Sequence, residues 1–153
     1  MSLFLVQHGK SLPKTEDPQQ GLSPEGIAGV ERISAVARNY HVLVSQIRHS
    51  GKTRAKQTAE IFASALAPPG GIAESAGLNP LDDVSAIAAS IDSSRNVMLV
   101  GHLPFMERLT SYLITGSIER PVFRFQNGGI VCLYQIPDTQ AWVIKWTLMP
   151  HIG

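Results

Sequence analysis

The sequence contains one cysteine, no long apolar run and almost no excess of charge of either sign. A single cysteine cannot form an intrachain disulfide, and Cys132 lies in the apolar stretch 130–133, where a small buried hydrophobic role is the simplest interpretation. No run approaches the roughly 18 apolar residues that a membrane span needs. A formal net charge of +1 produces no strong overall field, so neither a membrane nor a nucleic acid is expected as a partner.

The sequence also lacks internal repeats, low-complexity segments and interdomain linkers. No positively charged stretch followed by a long apolar one opens the chain, so a cytoplasmic protein is expected. A chain of 153 residues with 44% hydrophobic residues can bury a real core. We therefore expect a single domain over residues 1–153.

Hydrophobic patterning predicts an alternation of strands and helices that ends in a hairpin. Strand-like segments fall at 3–6, 42–49, 72–74, 97–100, 123–125, 130–136 and 142–148. Helices are predicted at about 24–39, about 55–66, about 82–91 and about 104–116. This order predicts an α/β protein with a mostly parallel sheet, an antiparallel edge and the 3–6 segment as the central strand.

Two histidines follow predicted strands directly. His8 follows the first apolar run and His102 follows the run at 97–100, while Arg54 lies where segment 50–55 opens a helix. The carboxyl ends of strands in an open α/β sheet meet at one edge, which is where ligands bind. Two imidazoles and a guanidinium at that edge indicate phosphoryl chemistry, which requires a nucleophile and fixed donors around the phosphoryl oxygens.

Each of these residues has a predicted role. His8 is the candidate nucleophile, held in its reactive tautomer by a hydrogen bond from its other ring nitrogen to a backbone carbonyl. Gly9 allows the backbone to approach closely. His102 can donate to a phosphoryl oxygen, and the guanidinium of Arg54 can bind two phosphate oxygens at a helix N-terminus.

Three segments resemble, in order and spacing, the signature segments of the histidine phosphatase superfamily: 5–9, 50–59 and 100–104. The short length and segment 22–26 are similar to its SixA-type phosphohistidine phosphatase branch. The resemblance implies a three-layer α/β/α sandwich, a phosphorylated His8 intermediate, and neither a metal nor another cofactor. The catalytic residues would be His8, Arg54 and His102, and the phosphate-binding residues Gln7, Gly9, Ser50, Lys10, Arg54 and His102.

The chain departs from the superfamily pattern at Gln7, where the family usually has arginine. An amide can donate a hydrogen bond but carries no charge, and charge-assisted hydrogen bonds are roughly twice as strong as neutral ones. We therefore expect weaker phosphate binding unless Lys10, Lys52 or Arg48 compensates. The departure affects the expected rate more than the expected fold.

A general acid is also missing from its usual place. Larger members of the superfamily supply a carboxylate from the middle of the chain, whereas residues 76–80 contain none, so Asp82 or Asp83 would have to reach back. A general acid is typically worth roughly 10²- to 10⁴-fold in rate. The leaving imidazole of phosphohistidine, with an unperturbed pKa of about 6.5, needs such help less than an alkoxide does.

The leading hypothesis is a metal-independent phosphatase that acts on phosphohistidine of a protein, such as a signal-transduction phosphorelay partner. Alternatives are a weak or inactive module that binds phosphate or phosphohistidine, because of Gln7, and a phosphatase for small phosphate esters. A metal-dependent hydrolase using His8, His102 and Asp83 is a further alternative. The physiological phosphoprotein and the oligomeric state do not follow from the sequence.

Overall fold

The computed structural model describes residues 1–152 as one mixed sheet with helices on both faces. Its strands are β1 (Ser2–Gln7), β2 (Gln46–His49), β3 (Ile72–Glu74), β4 (Val97–Gly101), β5 (Ile130–Gln135) and β6 (Trp142–Leu148). Its helices are α1 (Pro24–Asn39), α2 (Thr53–Leu66), α3 (Val84–Ser90) and α4 (Phe105–Thr115). None of these helices combines the length and apolar character needed to cross a membrane.

The strands lie in the order β3-β2-β4-β1-β5-β6. The first four pair in parallel, whereas β5 pairs antiparallel with both β1 and β6. The predicted mostly parallel sheet with an antiparallel edge is therefore confirmed. In the register of β1 and β4, Gln7 lies opposite Gly101, so the two strands end side by side.

Each face of the sheet has its own hydrophobic core. Successive side chains of a strand point to opposite faces, so β1 sends Phe4 and Val6 towards α1 and α2, and Leu3 and Leu5 towards α3 and α4. All four of these β1 side chains are buried. Coverage on both faces explains why β1 is a continuous apolar run, and it confirms the three-layer α/β/α sandwich.

Local signals set the ends of the long helices. At α1 the side-chain oxygen of Ser23 accepts a hydrogen bond from the Gly26 N–H at 3.0 Å, and Pro24 occupies the first helical position. The bounds predicted for α1 are correct. Helix α4 ends at Gly116, whose φ of 81° is a left-handed conformation that glycine adopts readily.

Two predicted strand segments differ from the structure. Residues 42–45 precede β2 as irregular chain, because the Val42 N–H donates back to Ala37 at the end of α1. Residues 123–125 form no strand either, since the Phe125 N–H donates to the carboxylate of Glu107 at 2.9 Å instead of to a neighbouring strand. Phe125 is buried in the core beside α4. The aromatic residues of this segment therefore indicate burial and not a β-strand.

Candidate active site

The two histidines selected from the sequence as candidate site residues meet at the carboxyl edge of the sheet. His8 directly follows β1 and His102 directly follows β4, and the His8 N–H donates to the Gly101 carbonyl at 3.0 Å. Their ring centroids are 5.0 Å apart, with an angle of 52° between the ring planes. Parallel pairing of β1 with β4 is what brings residues far apart in sequence to this distance.

The hydrogen bonding of His8 leaves one ring nitrogen free. Nδ1 lies 2.6 Å from the carbonyl oxygen of Gly9, which can only accept, so Nδ1 carries the proton and Nε2 keeps its lone pair. Burial lowers the pKa of His8 from 6.5 to about 4, against the raising effect of the Gly9 carbonyl, and the charge of Arg54 lowers it further. His8 is therefore a neutral imidazole near neutral pH, in the tautomer that a nucleophile needs.

His102 is held differently. It is buried, its Nε2 lies 2.6 Å from the hydroxyl oxygen of Ser50, and its buried Nδ1 has no hydrogen-bond partner among residues 1–152. Burial lowers the pKa of His102 to about 3, and the charges of His8, Arg54 and Lys52 add to that effect. Both imidazoles are therefore uncharged around neutral pH.

Arg54 supplies the positive charge of the site. It lies in the first turn of α2, where Lys52 is the N-cap residue and makes no side-chain cap, so the first amides of the helix stay available to an anion. The guanidinium is half-buried, has no hydrogen-bond or ion-pair partner within residues 1–152, and has a pKa lowered by that burial. Its charge acts on both imidazoles. The arrangement therefore combines a guanidinium that can bind an anion with two imidazole nitrogens that have no hydrogen-bond partner among residues 1–152, Nε2 of His8 and Nδ1 of His102.

Two residues that the sequence analysis did not single out hold the His8 backbone in place. The Gly9 N–H donates to the Thr58 hydroxyl at 2.9 Å, and that hydroxyl donates to the Arg54 carbonyl at 2.8 Å. The Asn127 side-chain amide donates to the His8 carbonyl at 3.0 Å. Thr58 was visible in the sequence as a lone hydroxyl on the apolar stripe of α2. Asn127 had no signal beyond its place in a turn.

Gly9 is required by the close packing of this loop. A Cβ added there would lie 2.7 Å from the Val30 side chain of α1, which is closer than atoms can approach without displacement. The backbone thus passes directly against α1.

Several predicted helpers lie elsewhere or are already engaged. The Lys10 ammonium forms an exposed ion pair with Glu25 at 2.8 Å. Asp82 accepts from the Asn79 N–H, and Asp83 caps α3 by accepting from the Ser85 N–H. Neither carboxylate reaches back to the site in this arrangement. The Arg48 guanidinium donates to the side chain of Gln46.

His49 is the buried last residue of β2. Its Nδ1 accepts the Gly51 N–H at 3.0 Å, so it holds the turn that leads from β2 into α2. Burial lowers its pKa, in keeping with a neutral acceptor. His41 and His151 are exposed.

Gln7 lines a groove of about 650 Å³ that runs from the end of β1 along α4 to the segment 121–127. Leu103, Glu107, Phe123 and Asn127 are among its other lining residues. The Gln7 side-chain carbonyl oxygen is buried and has no hydrogen-bond partner among residues 1–152. No group of three His, Cys, Asp or Glu side chains capable of holding a metal ion occurs in the described part of the chain.

Solved structures share this fold over nearly its whole length. The protein histidine phosphatase SixA in complex with tungstate overlaps with a TM-score of 0.84 at 21% identity, covering 98% of this chain and 97% of that one. A candidate phosphohistidine phosphatase SixA from Agrobacterium tumefaciens overlaps with a TM-score of 0.77 at 23% identity, covering 97% of each chain. A phosphoserine phosphatase from Entamoeba histolytica follows with a TM-score of 0.72 at 13% identity and 96% coverage of each chain.

No protein-family model and no curated protein matches the sequence. The fold is nonetheless that of the histidine phosphatases. The resemblance to the SixA-type branch, expected from the three signature segments, is confirmed at the level of the fold.

Proposed function

We propose that this chain is a single-domain phosphatase that removes the phosphoryl group from phosphohistidine of a protein, with His8 as the nucleophile. The observation that carries the proposal is the hydrogen bond from His8 Nδ1 to the Gly9 carbonyl at 2.6 Å, which leaves Nε2 unprotonated. The His8 and His102 ring centroids lie 5.0 Å apart. The solved structures with the same fold include the protein histidine phosphatase SixA, in complex with a tungstate anion.

The reaction would proceed in two displacements. In the first, Nε2 of His8 attacks phosphorus, a new P–N bond forms, and the P–N bond to the substrate imidazole breaks. In the second, water attacks the phosphoryl group on His8, releasing inorganic phosphate and restoring Nε2. Arg54 balances charge on the phosphoryl oxygens in both steps, and His102 faces the same oxygens with a neutral imidazole.

The leaving group favours phosphohistidine over an alkyl phosphate. Asp82 and Asp83 are engaged near α3, so the carboxylate that would protonate a departing alkoxide is not supplied from there. A substrate imidazole protonated on its other nitrogen leaves as a neutral ring, since the unperturbed pKa is about 6.5. A site without a carboxylate at that point can therefore cleave a P–N bond more readily than a C–O–P ester.

A second candidate function is a module that binds phosphohistidine without turning it over. Gln7 favours this alternative, because it leaves Arg54 as the one guanidinium that acts on both imidazoles. Weaker stabilisation of the phosphoryl oxygens lowers the rate of displacement more than it lowers binding, since charge builds up in the transition state.

Covalent trapping tests the proposal and separates the two candidates. The protein is incubated with phosphoramidate, quenched in alkali, and examined by intact-mass and peptide mass spectrometry. We expect one acid-labile phosphoryl group on His8 and continued release of phosphate beyond one equivalent. Saturable phosphoramidate binding without label would support the binding module.

The controls are two histidine variants. His8→Gln should abolish the label and lower turnover by at least about 10⁴-fold, as removal of a nucleophile typically does. His41→Asn should retain both, because His41 is exposed and its φ of 58° suits asparagine. Label on another residue, or undiminished label in His8→Gln, would contradict the mechanism.

A further inference from the structure

Ser50 lies beside the second histidine of the site. It directly follows β2, and the β2–β4 register pairs His49 with Val100, so Ser50 leaves the sheet next to the turn that carries His102. Its hydroxyl oxygen is 2.6 Å from Nε2 of His102. The sequence places Ser50 among the expected phosphate-binding residues, whereas the structure directs its hydroxyl to an imidazole.

The backbone on both sides of Ser50 is fixed by hydrogen bonds. The Gly51 N–H donates to Nδ1 of His49 at 3.0 Å. The Ser75 N–H, just after β3, donates to the His49 carbonyl at 2.9 Å. These bonds tie the residue before Ser50 to the neighbouring strand and the residue after it back to β2. The hydroxyl therefore approaches His102 from a well-anchored turn.

The His102 ring depends on this hydroxyl for its hydrogen bonding. Among residues 1–152, Ser50 is the sole hydrogen-bond partner of the His102 side chain, which is 2% exposed and whose Nδ1 has no partner. A neutral imidazole has one donor and one acceptor nitrogen. Without the hydroxyl, both nitrogens of this buried ring would be unsatisfied, which is costly. The ring would then have to rotate or admit water.

We propose that Ser50 is a positioning residue, which holds the His102 imidazole in place beside His8 and affects turnover through that ring. The inference rests on the proposed phosphatase function and adds a residue to its site. A serine that bound phosphate by itself would contribute its own hydrogen bond whatever residue stood at position 102. A serine that acts through His102 contributes nothing once the imidazole is removed.

A double-mutant cycle separates these two roles. Turnover of phosphoramidate is measured for the unaltered protein, Ser50→Ala, His102→Ala and the double variant. We expect Ser50→Ala to lower turnover about 10-fold, the value of one hydrogen bond, with label still forming on His8. In the His102→Ala background the same change should lower turnover by less than about 2-fold.

Ser75→Ala is the matched control. Ser75 directly follows β3 as Ser50 follows β2, and its hydroxyl donates to the carbonyl of the next residue, Ala76, at 3.4 Å. Its turnover should equal that of the unaltered protein. A loss as large as that of Ser50→Ala would contradict a specific role for Ser50. Thermal unfolding shows whether each variant retains the fold.

A second measurement, ¹⁵N NMR of the histidine rings, reports the contact without requiring turnover. The resonance of a ring nitrogen responds to the hydrogen bond that the nitrogen makes. Ser50→Ala should therefore shift the Nε2 resonance of His102, whereas Ser75→Ala should leave it unchanged. The ring of the exposed His41 provides an internal reference in both variants.

Three results would overturn the inference: independent, multiplicative losses in the double variant, undiminished turnover in Ser50→Ala, or an Nε2 resonance of His102 that Ser50→Ala does not move. Failure of the proposed function is distinguishable from these. Absence of label and turnover would contradict the phosphatase, while the NMR shift would still report that Ser50 holds the ring. Label on His8 with an unmoved resonance would keep the phosphatase and remove the role of Ser50.

Discussion

The ends of β1 and β4 carry the same residue type in the same position, yet the two histidines are held by opposite means. His8 is half-buried, and its Nδ1 donates a hydrogen bond to a backbone carbonyl. His102 is fully buried, and a side-chain hydroxyl contacts its Nε2. One imidazole is thus anchored by the main chain with Nε2 free, whereas the other is anchored by Ser50 with Nδ1 free.

Under the proposed mechanism, this difference matches different tasks for two similar residues. A nucleophile must keep its orientation while a covalent bond forms and breaks, and the His8 ring is oriented by a main-chain carbonyl and not by a movable side chain. A donor to phosphoryl oxygens needs to adjust to changing charge, and a serine hydroxyl can rotate between donor and acceptor. The strand ends alone do not reveal which imidazole does which.

Among the tests of this comparison, the variant His102→Ala has the largest expected effect. If His102 stabilises phosphoryl oxygens without bonding to phosphorus, the variant should still form label on His8 but turn over roughly 10²- to 10³-fold more slowly, the usual loss for one oxyanion donor. Steady-state kinetics with phosphoramidate and intact-mass spectrometry measure the two effects. Loss of label with a retained fold would assign His102 a role equal to that of His8.

A smaller effect is expected in the pH dependence of stability. Burial lowers the folded-state pKa of His8 from 6.5 to about 4 and that of His102 to about 3. The unfolded chain therefore binds protons below pH 6.5 that the folded chain does not, so the free energy of unfolding falls on acidification from 6.5 towards 4. Each imidazole contributes up to about 1.4 kcal/mol per pH unit in that window.

Urea denaturation at pH values near 6.5 and near 5 measures this loss before most carboxylates titrate. His8→Gln should show a shallower loss than the unaltered protein, since it removes one of the two shifted imidazoles. His41→Asn is the control, because His41 is an exposed histidine. Equal slopes in all three proteins would show that burial does not hold the His8 imidazole neutral.

The smallest expected effect concerns the anchor of the His8 loop. Thr58→Val keeps the shape of a buried side chain but leaves the Gly9 N–H without its acceptor. The free energy of unfolding should fall by about 1–3 kcal/mol, the cost of an unsatisfied buried donor. Turnover should fall while label still forms. Thr110→Val, which removes only a hydroxyl bonded within α4, is the matched control.

Signals that act over a few residues were read correctly from the sequence. The predicted range of α1 and the predicted end of α4 match the structure, in which Ser23 and Pro24 begin α1 and Gly116 follows α4, and the predicted strand at 3–6 is covered on both faces. The predicted strand at 123–125 was wrong, because a distant carboxylate on Glu107 took the Phe125 amide. Residue type predicts burial, but it does not predict which group a backbone N–H will bond.

The residues of the candidate site divide in the same way, into those that local sequence signals reveal and those that depend on distant partners. Residues 8, 54 and 102 could be selected from the chain because each follows a strand or opens a helix, and local patterning locates such points. Their roles remain predictions, which trapping and kinetics will test. The Lys10 ion pair, the Thr58 anchor and the Asn127 contact to His8 could not be read in this way.

Local physical chemistry was thus enough to specify the helices, most strands, the α/β class and the edge of the sheet where His8 and His102 meet. Only the tertiary structure decided which tautomer His8 adopts, which residue contacts His102, and that the side-chain oxygen of Gln7 is buried without a partner among residues 1–152. The reason is that propensity and periodicity act between neighbours in the chain. Proton positions and hydrogen-bond partners depend on groups that only the packing of distant segments brings within about 3 Å.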